Sequence, residues 1–260
     1  MNLQIVPAKT GLLWVRLGIR TFWRQPLALS GLFFLLMAAV SIVSMVPWVG
    51  QALALVLLPA LTLGMMAATQ TATEGRFPMP GTLLVALKAG PQRRAMLQLG
   101  GAYAVAFLVL IGVSMLIDGG GFARIYLGDE PLNDKALQSS GFQSALWISM
   151  LLYMPLSMMF WHAPALVFWH GVSPVKSLFF SWMGCWRNLR AFALYLLGWT
   201  LVFMAAGMLA LLITTLIGDP QLMMPILLPL VLMVAAMFFT SMLFTVKDCF
   251  TALPHPIEPV

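Results

Sequence analysis

The chain has 260 residues, of which 61% are hydrophobic and 8% charged, and its mean hydropathy is +0.95. A soluble domain is roughly 45–50% apolar and about a quarter charged, and disordered chains are poorer still in apolar residues. Both classes are excluded, which leaves a multi-pass membrane protein whose length fits one helical bundle and no separate soluble domain. The 14 Lys and Arg against 8 Asp and Glu give a net charge of +6 and a pI near 9.8. In this class such a surplus reads as basic residues held on the cytoplasmic face, not as a nucleic-acid surface.

The first predicted element is a basic amphipathic helix over Gly11 to Arg24, GLLWVRLGIRTFWR, in which Arg16, Arg20 and Arg24 recur every fourth residue. Six apolar stretches follow, each near the ~20 residues that cross a bilayer as a helix. They are Leu27 to Val46, Trp48 to Ala68, Ala95 to Ile117, Ser144 to Phe168, Ala191 to Ile217 and Leu222 to Val246. Backbone groups in lipid must be bonded internally, and no alternating barrel pattern is present, so these are helices. The first run continues into Met45-Val46-Pro47-Trp48 without a small-residue cleavage site, and it reads as a span, not a cleavable signal. Pro47 makes a tight hairpin between the first two spans, and Gly218-Asp219-Pro220-Gln221 another between the last two. Residues 118–143 form an external loop with room for one short helix, and 247–260 form a cytoplasmic tail with an unstructured stretch around His255.

The charges orient the bundle. Twelve of the fourteen basic residues lie before the first span, between the second and third, between the fourth and fifth, or after the sixth. Arg124 and Lys135 alone lie on the other side, with five of the eight acids. By the positive-inside rule both termini are cytoplasmic.

The cytoplasmic segments resemble one another. Pro174 to Arg190, PVKSLFFSWMGCWRNLR, precedes the fifth span as Gly11 to Arg24 precedes the first. At an offset of 163, Trp23 meets Trp186, Arg24 meets Arg187, Gln25 meets Asn188 and Ala28 meets Ala191. At an offset of 96, Gly75 meets Gly171 and Pro78 meets Pro174. A weaker copy over Pro80 to Arg94 is broken at Gly90-Pro91. The pattern is three copies of one unit: an interfacial helix, a span, a hairpin and a proline-containing span.

Helices with one basic and one aromatic face lie among headgroups, held by apolar burial and by attraction to anionic lipid. Trp14, Trp23, Trp182 and Trp186 suit that depth, and Trp48, Trp147 and Trp169 suit span ends. Arg16, Arg20, Trp23, Arg24, Lys176, Trp182, Trp186, Arg187 and Arg190 are therefore the candidate interface for anionic lipid or a protein partner, which includes a second copy of the chain.

Candidate chemistry is sparse. No Asp, Glu, Lys or Arg lies well inside a span, where such groups mark ion or proton pathways. His162 is the intramembrane titratable candidate for a pathway, against the plainer role of a neutral histidine bonded to its neighbours. Met150, Met154, Met158 and His162 recur every fourth residue, a pattern soft metals use, but successive steps drift by about 40° and methionine is a common apolar filler. No metal and no cofactor is expected. Neither a catalytic triad, an HExxH, a phosphate loop nor paired carboxylates occur, so an enzyme is not expected either. Cys185 and Cys249 lie at cytoplasmic span ends, where a disulfide is not expected. Small residues, Gly100 to Ala106 in the third span and Ala205 to Ala210 in the fifth, allow close helix approach.

The strings PALVFWHGVSPVKSLFFSWMGCWRNLRAF (Pro164 to Phe192) and VPAKTGLLWVRLGIRTFWRQPLAL resemble an uncharacterised family of multi-pass inner-membrane proteins of beta-class proteobacteria. More distantly, a basic-aromatic segment followed by paired spans resembles the membrane domain attached to some glycerophosphodiester phosphodiesterases, whose catalytic domain has no counterpart here. The resemblance implies six helices in a bacterial inner membrane, and it implies no substrate. The expected architecture is an all-α membrane protein of six transmembrane helices with amphipathic interfacial helices. The leading function is non-enzymatic, acting on lipid or a partner; the alternative is a transporter or channel for a small or amphipathic solute.

Overall fold

The structure is a computed structural model that describes residues 2–251 except 89, 128 and 129. The described residues form helices α1 (Thr10–Phe22), α2 (Pro26–Ser44), α3 (Gly50–Thr73), α4 (Pro91–Asp118), α5 (Gly121–Leu127) and α6 (Asp134–Gln138). Then come α7 (Ser140–Trp161), α8 (Ala163–His170), α9 (Pro174–Arg187), α10 (Leu189–Ile217) and α11 (Met223–Cys249). Six spans are long and apolar enough to cross a membrane: α2, α3, α4, α7 with α8, α10 and α11. The all-α, six-span architecture read from hydropathy is the one observed.

Two strands of two residues each, β1 (Asn2–Leu3) and β2 (Phe250–Thr251), pair antiparallel with Asn2 opposite Thr251. Residue 2 and the end of the last span therefore lie at one end of the bundle. Gln25 joins them there, donating from Nε2 to the Arg76 carbonyl at 3.0 Å. This basic end carries Arg24, Arg76 and Arg187. At the opposite end Arg124 is paired with Glu130 at 2.9 Å, both half-exposed.

Several boundaries differ from expectation, each for a local reason. α1 stops at Phe22 rather than Arg24, because Pro26 disfavours helical geometry in the residue before it, and Gln25 takes φ −143°. α3 runs five residues past Ala68. The hydropathy falls there, but the Thr69 and Thr71 hydroxyls bond back to the Met65 and Ala67 carbonyls, and Gln70 is buried. The fourth span is two helices, since Pro164 has no N–H for the Phe160 carbonyl and its ring crowds that carbonyl. The external loop holds two short helices, α5 and α6, and not one. Of the expected tail, Lys247 to Cys249 complete α11 and residues 250–251 form β2; residues 252–260, His255 among them, lie outside the described residues.

α3 is the central helix, with 61% of its most apolar window buried, against 17% for α10 at the periphery. One core gathers α1, α2, α10 and α11 around Trp14, Leu29, Phe33, Tyr195 and Trp199. The second gathers α4, α7 and α8 around Leu99, Phe107, Phe160 and Val167. Trp161, Phe238 and Phe239 pack against both. Lipid tails are as apolar as leucine, so close backbone approach has to hold such helices together. Gly100 supplies it between α3 and α4, where a Cβ would stand 2.0 Å from the Val56 carbonyl oxygen. Gly101 and Gly207 face open space instead.

Two pairs of positions aligned in the sequence have similar backbone surroundings. α2 begins at Pro26 and α10 at Leu189, 163 residues apart, and each follows a shorter helix by a brief break. Gly75 and Gly171, 96 apart, both take left-handed φ, 77° and 63°, after a second span. The middle copy of the interfacial helix is reduced to one 3-10 turn, Pro80–Leu84.

At the opposite end, Gly119 and Gly218 close α4 and α10 in the left-handed region, at φ 68° and 78°. The α2–α3 turn uses Trp48 at φ 69°, where Val49 N–H donates to the Pro47 carbonyl at 2.8 Å. A side chain costs about 1–2 kcal/mol in that conformation, and Trp48 is fully exposed, so no packing within the protein offsets it. Trp48→Gly is expected to stabilise the protein by roughly 1 kcal/mol, read as a higher melting temperature in detergent. A fall in melting temperature would refute the strain argument.

Candidate interfacial site

Pro174 at the first turn pre-sets the backbone of α9. Its buried face is small: Ser177, Ser181, Gly184 and Cys185, at helical spacing. That face seats α9 against α7 and α8, and Gly184 admits the ring of Phe250 from β2, whose Cζ would stand 2.8 Å from a Cβ there. The bulky residues point outward. Val175 is 79% exposed, Phe179 61% and Trp186 57%. Trp182, half-buried, stacks on Trp186 with ring centroids 5.9 Å apart and planes within 8°. Lys176, Arg187 and Arg190 are exposed around this face. Against water such a helix would be inside out.

α1 has a similar composition and a different disposition. It buries Trp14, Val15, Thr21 and Phe22 and lies across α10 and α11. Two glycines let it close on them. A Cβ on Gly11 would stand 2.0 Å from the Ala191 carbonyl oxygen, and one on Gly18 2.4 Å from Ser241 Cβ. Trp14 is therefore not at headgroup depth facing lipid. It is fully buried, and its Nε1 donates to Asp248 Oδ2 at 2.7 Å. Trp169 lies at the end of the fourth span, as expected, and is also buried, while Trp48 and Trp147 are exposed. Arg16 and Arg20 remain exposed on α1, and Trp23 and Arg24 are exposed just past its end. The candidate residues thus form two patches: α1 seated on α10 and α11, and α9 seated on α7 and α8.

His162 sits in the break between α7 and α8 and is fully buried. Its ring meets Phe192 and Phe250 edge-on, and its Nδ1 is 3.7 Å from Cys185 Sγ. The break is bridged by a residue that the sequence did not single out. Ser181 Oγ accepts from the His162 backbone N–H at 2.9 Å and donates to the Met158 carbonyl at 2.7 Å. In an unbroken helix those two backbone groups would bond to each other. The methionine stripe disperses: Met150 and Met154 are exposed, Met158 half-buried. Among the described residues no three His, Cys, Asp or Glu side chains converge as a metal site would require. Cys185 and Cys249 are both free and buried, and burial pushes the Cys185 thiol well up, which keeps it protonated.

Asn188 was visible only as the partner of Gln25 in the repeat. It fills the joint between α9 and α10, buried, with Oδ1 accepting from Val6 N–H at 2.8 Å. Its Nδ2 donates to the Gln4 carbonyl at 2.9 Å and to the Gly184 carbonyl at 3.0 Å, and lies 3.5 Å from Cys249 Sγ. One amide thereby ties the N-terminal segment, α9 and the end of α11 together.

Six apolar helices closed by close glycine contacts, with aromatic and basic side chains turned outward at one end, define an all-α multi-pass membrane protein. The chain is 39% identical over 254 residues to a probable inner membrane protein of Burkholderia thailandensis, across 96% of this chain and 94% of the relative. It belongs to the same family as that protein. No family model matches the chain, and no solved structure matches it significantly.

Proposed function

We propose that the chain is a non-enzymatic protein of a bacterial inner membrane, with both termini cytoplasmic, whose α1 and α9 engage anionic lipid headgroups at the cytoplasmic surface. The observation that carries this reading is the outward face of α9: Val175, Phe179, Trp182 and Trp186, flanked by Lys176, Arg187 and Arg190. Aromatic rings settle at the level of the headgroups. Each Lys or Arg near an anionic leaflet adds about 1 kcal/mol of attraction. The relative's description as a probable inner membrane protein supports the membrane, and the twelve basic residues grouped on one side support the orientation. A solute pathway through the break at His162 has less support, because the polar backbone groups freed there are taken up by Ser181.

Native mass spectrometry of the detergent-purified protein tests the proposal. The wild type should retain phosphatidylglycerol in preference to phosphatidylcholine. Arg24→Glu combined with Arg187→Glu, both exposed and equivalent in the repeat, should lower that retention several-fold. Unchanged lipid retention in the double variant would sink the reading. Loss of a co-purifying protein, with lipid unchanged, would replace lipid by a protein partner.

A further inference from the structure

We infer that the groove between α1 and α10 holds one anionic glycerophospholipid, its phosphate between Arg16 and Arg20 and an acyl chain along the outward face of α10. This inference rests on the lipid reading above and gives it a defined site. The groove is shallow and open to the outside, about 480 Å³ in volume, and is lined by Leu12, Val15, Arg16, Ile19, Arg20 and Gly198. Its lining is two cations and otherwise apolar surface, the pattern that suits a molecule with one anionic group and a hydrocarbon body.

Arg16 and Arg20 are one turn apart on α1 and so share a face. Guanidinium groups match phosphate oxygens in a two-pronged geometry that an ammonium lacks. Among the described residues neither arginine forms an ion pair, so no carboxylate competes for them. Gly198 is buried at its base, where a Cβ would come within 3.0 Å of Val15 and 3.2 Å of Leu12, so the absent side chain is what lets α1 seat closely on α10 and bring its arginines beside that span. The same span, α10, exposes Leu201 and Met204 on its outward face and is the least buried of the six, and apolar surface beside the two arginines favours a lipid over a free phosphate ion. A second groove, at Gly90, Arg93, Arg94, Leu97 and Gln98, also carries two arginines. There they are adjacent in sequence and leave α4 about 100° apart, whereas Arg16 and Arg20 share one face.

The test is lipid titration of the full-length protein in detergent, followed by native mass spectrometry, with phosphatidylglycerol, phosphatidylcholine and inorganic phosphate as separate probes. The wild type should hold one phosphatidylglycerol through activation energies that strip the rest. Arg16→Gln with Arg20→Gln should weaken that molecule roughly 30-fold and leave weaker lipids bound. The arginine pair leaves the fold in place, since both side chains are exposed and neither is hydrogen-bonded within the protein among the described residues. Equal retention of phosphatidylglycerol by the arginine pair overturns the groove. The interfacial reading then survives if Arg24→Glu with Arg187→Glu still strips lipid, and falls with it otherwise. Inorganic phosphate displacing the lipid at equal concentration would overturn the choice of occupant.

Discussion

Replacing Asn188 with alanine is expected to cost about 2–4 kcal/mol of stability and to release the N-terminal segment from the bundle. The side chain is 2% exposed, so no water stands by to replace what it supplies. Val6 N–H loses its acceptor, and the Gln4 and Gly184 carbonyls lose a donor. A buried polar group left unpaired costs about 1–3 kcal/mol, and part of the total is recovered as the segment over residues 2–9 swings into solvent. The measurements are a thermal melt in detergent and the rate of limited proteolysis ahead of α1, which should rise together. Asn188→Asp separates hydrogen bonding from shape. It retains the acceptor for Val6 but turns an oxygen toward the Gln4 and Gly184 carbonyls, so this near-isosteric change should be at least as damaging as alanine. A melt within about 0.5 kcal/mol of wild type for the alanine variant would show that the joint carries no such load.

Asn188 also shows how far the sequence could be read. Its alignment with Gln25 is correct in place: each amide stands just before the first span of its unit and bonds across to a neighbouring chain segment, Gln25 to Arg76 and Asn188 to Gln4 and Val6. The spans were legible because hydrocarbon permits only long, internally bonded apolar helices and because Arg and Lys are confined to their ends. The direction each interfacial helix faces was not. In water the apolar side of a helix is the inner side, whereas at a membrane both sides meet apolar surroundings and hydrophobicity stops marking the interior. Trp14 and Trp186 therefore read alike, although one is fully buried and the other 57% exposed. A usable signal was present in the small residues: Gly11 and Gly18 on α1, and Ser177, Ser181 and Gly184 on α9, each set at helical spacing and each forming the buried face.

The same shift of attention from large to small residues leads to Ser181. Ser181→Ala is expected to destabilise the protein by about 2–4 kcal/mol, because one hydroxyl serves two buried backbone groups and both are orphaned at once. Pro164 is visible in the sequence as the origin of the break, but the residue that repairs it lies on another helix and is found only once α9 is packed. With Ser181 absent, the His162 N–H and the Met158 carbonyl lose the one hydroxyl that serves both. The interior there offers them only the weak Cys185 thiol, 3.7 Å from the same carbonyl. A double-mutant cycle isolates this coupling. Pro164→Ala restores an N–H for the Phe160 carbonyl and removes the ring that forces the kink, so α7 and α8 are free to join and the two orphans to bond each other. Ser181→Ala should then cost at least about 1 kcal/mol less in the Pro164→Ala background than in the wild type. Additive effects in thermal or denaturant unfolding would mean that Ser181 acts through packing alone. A non-additive cycle would fix the hydroxyl as the piece of α9 that completes the fourth span.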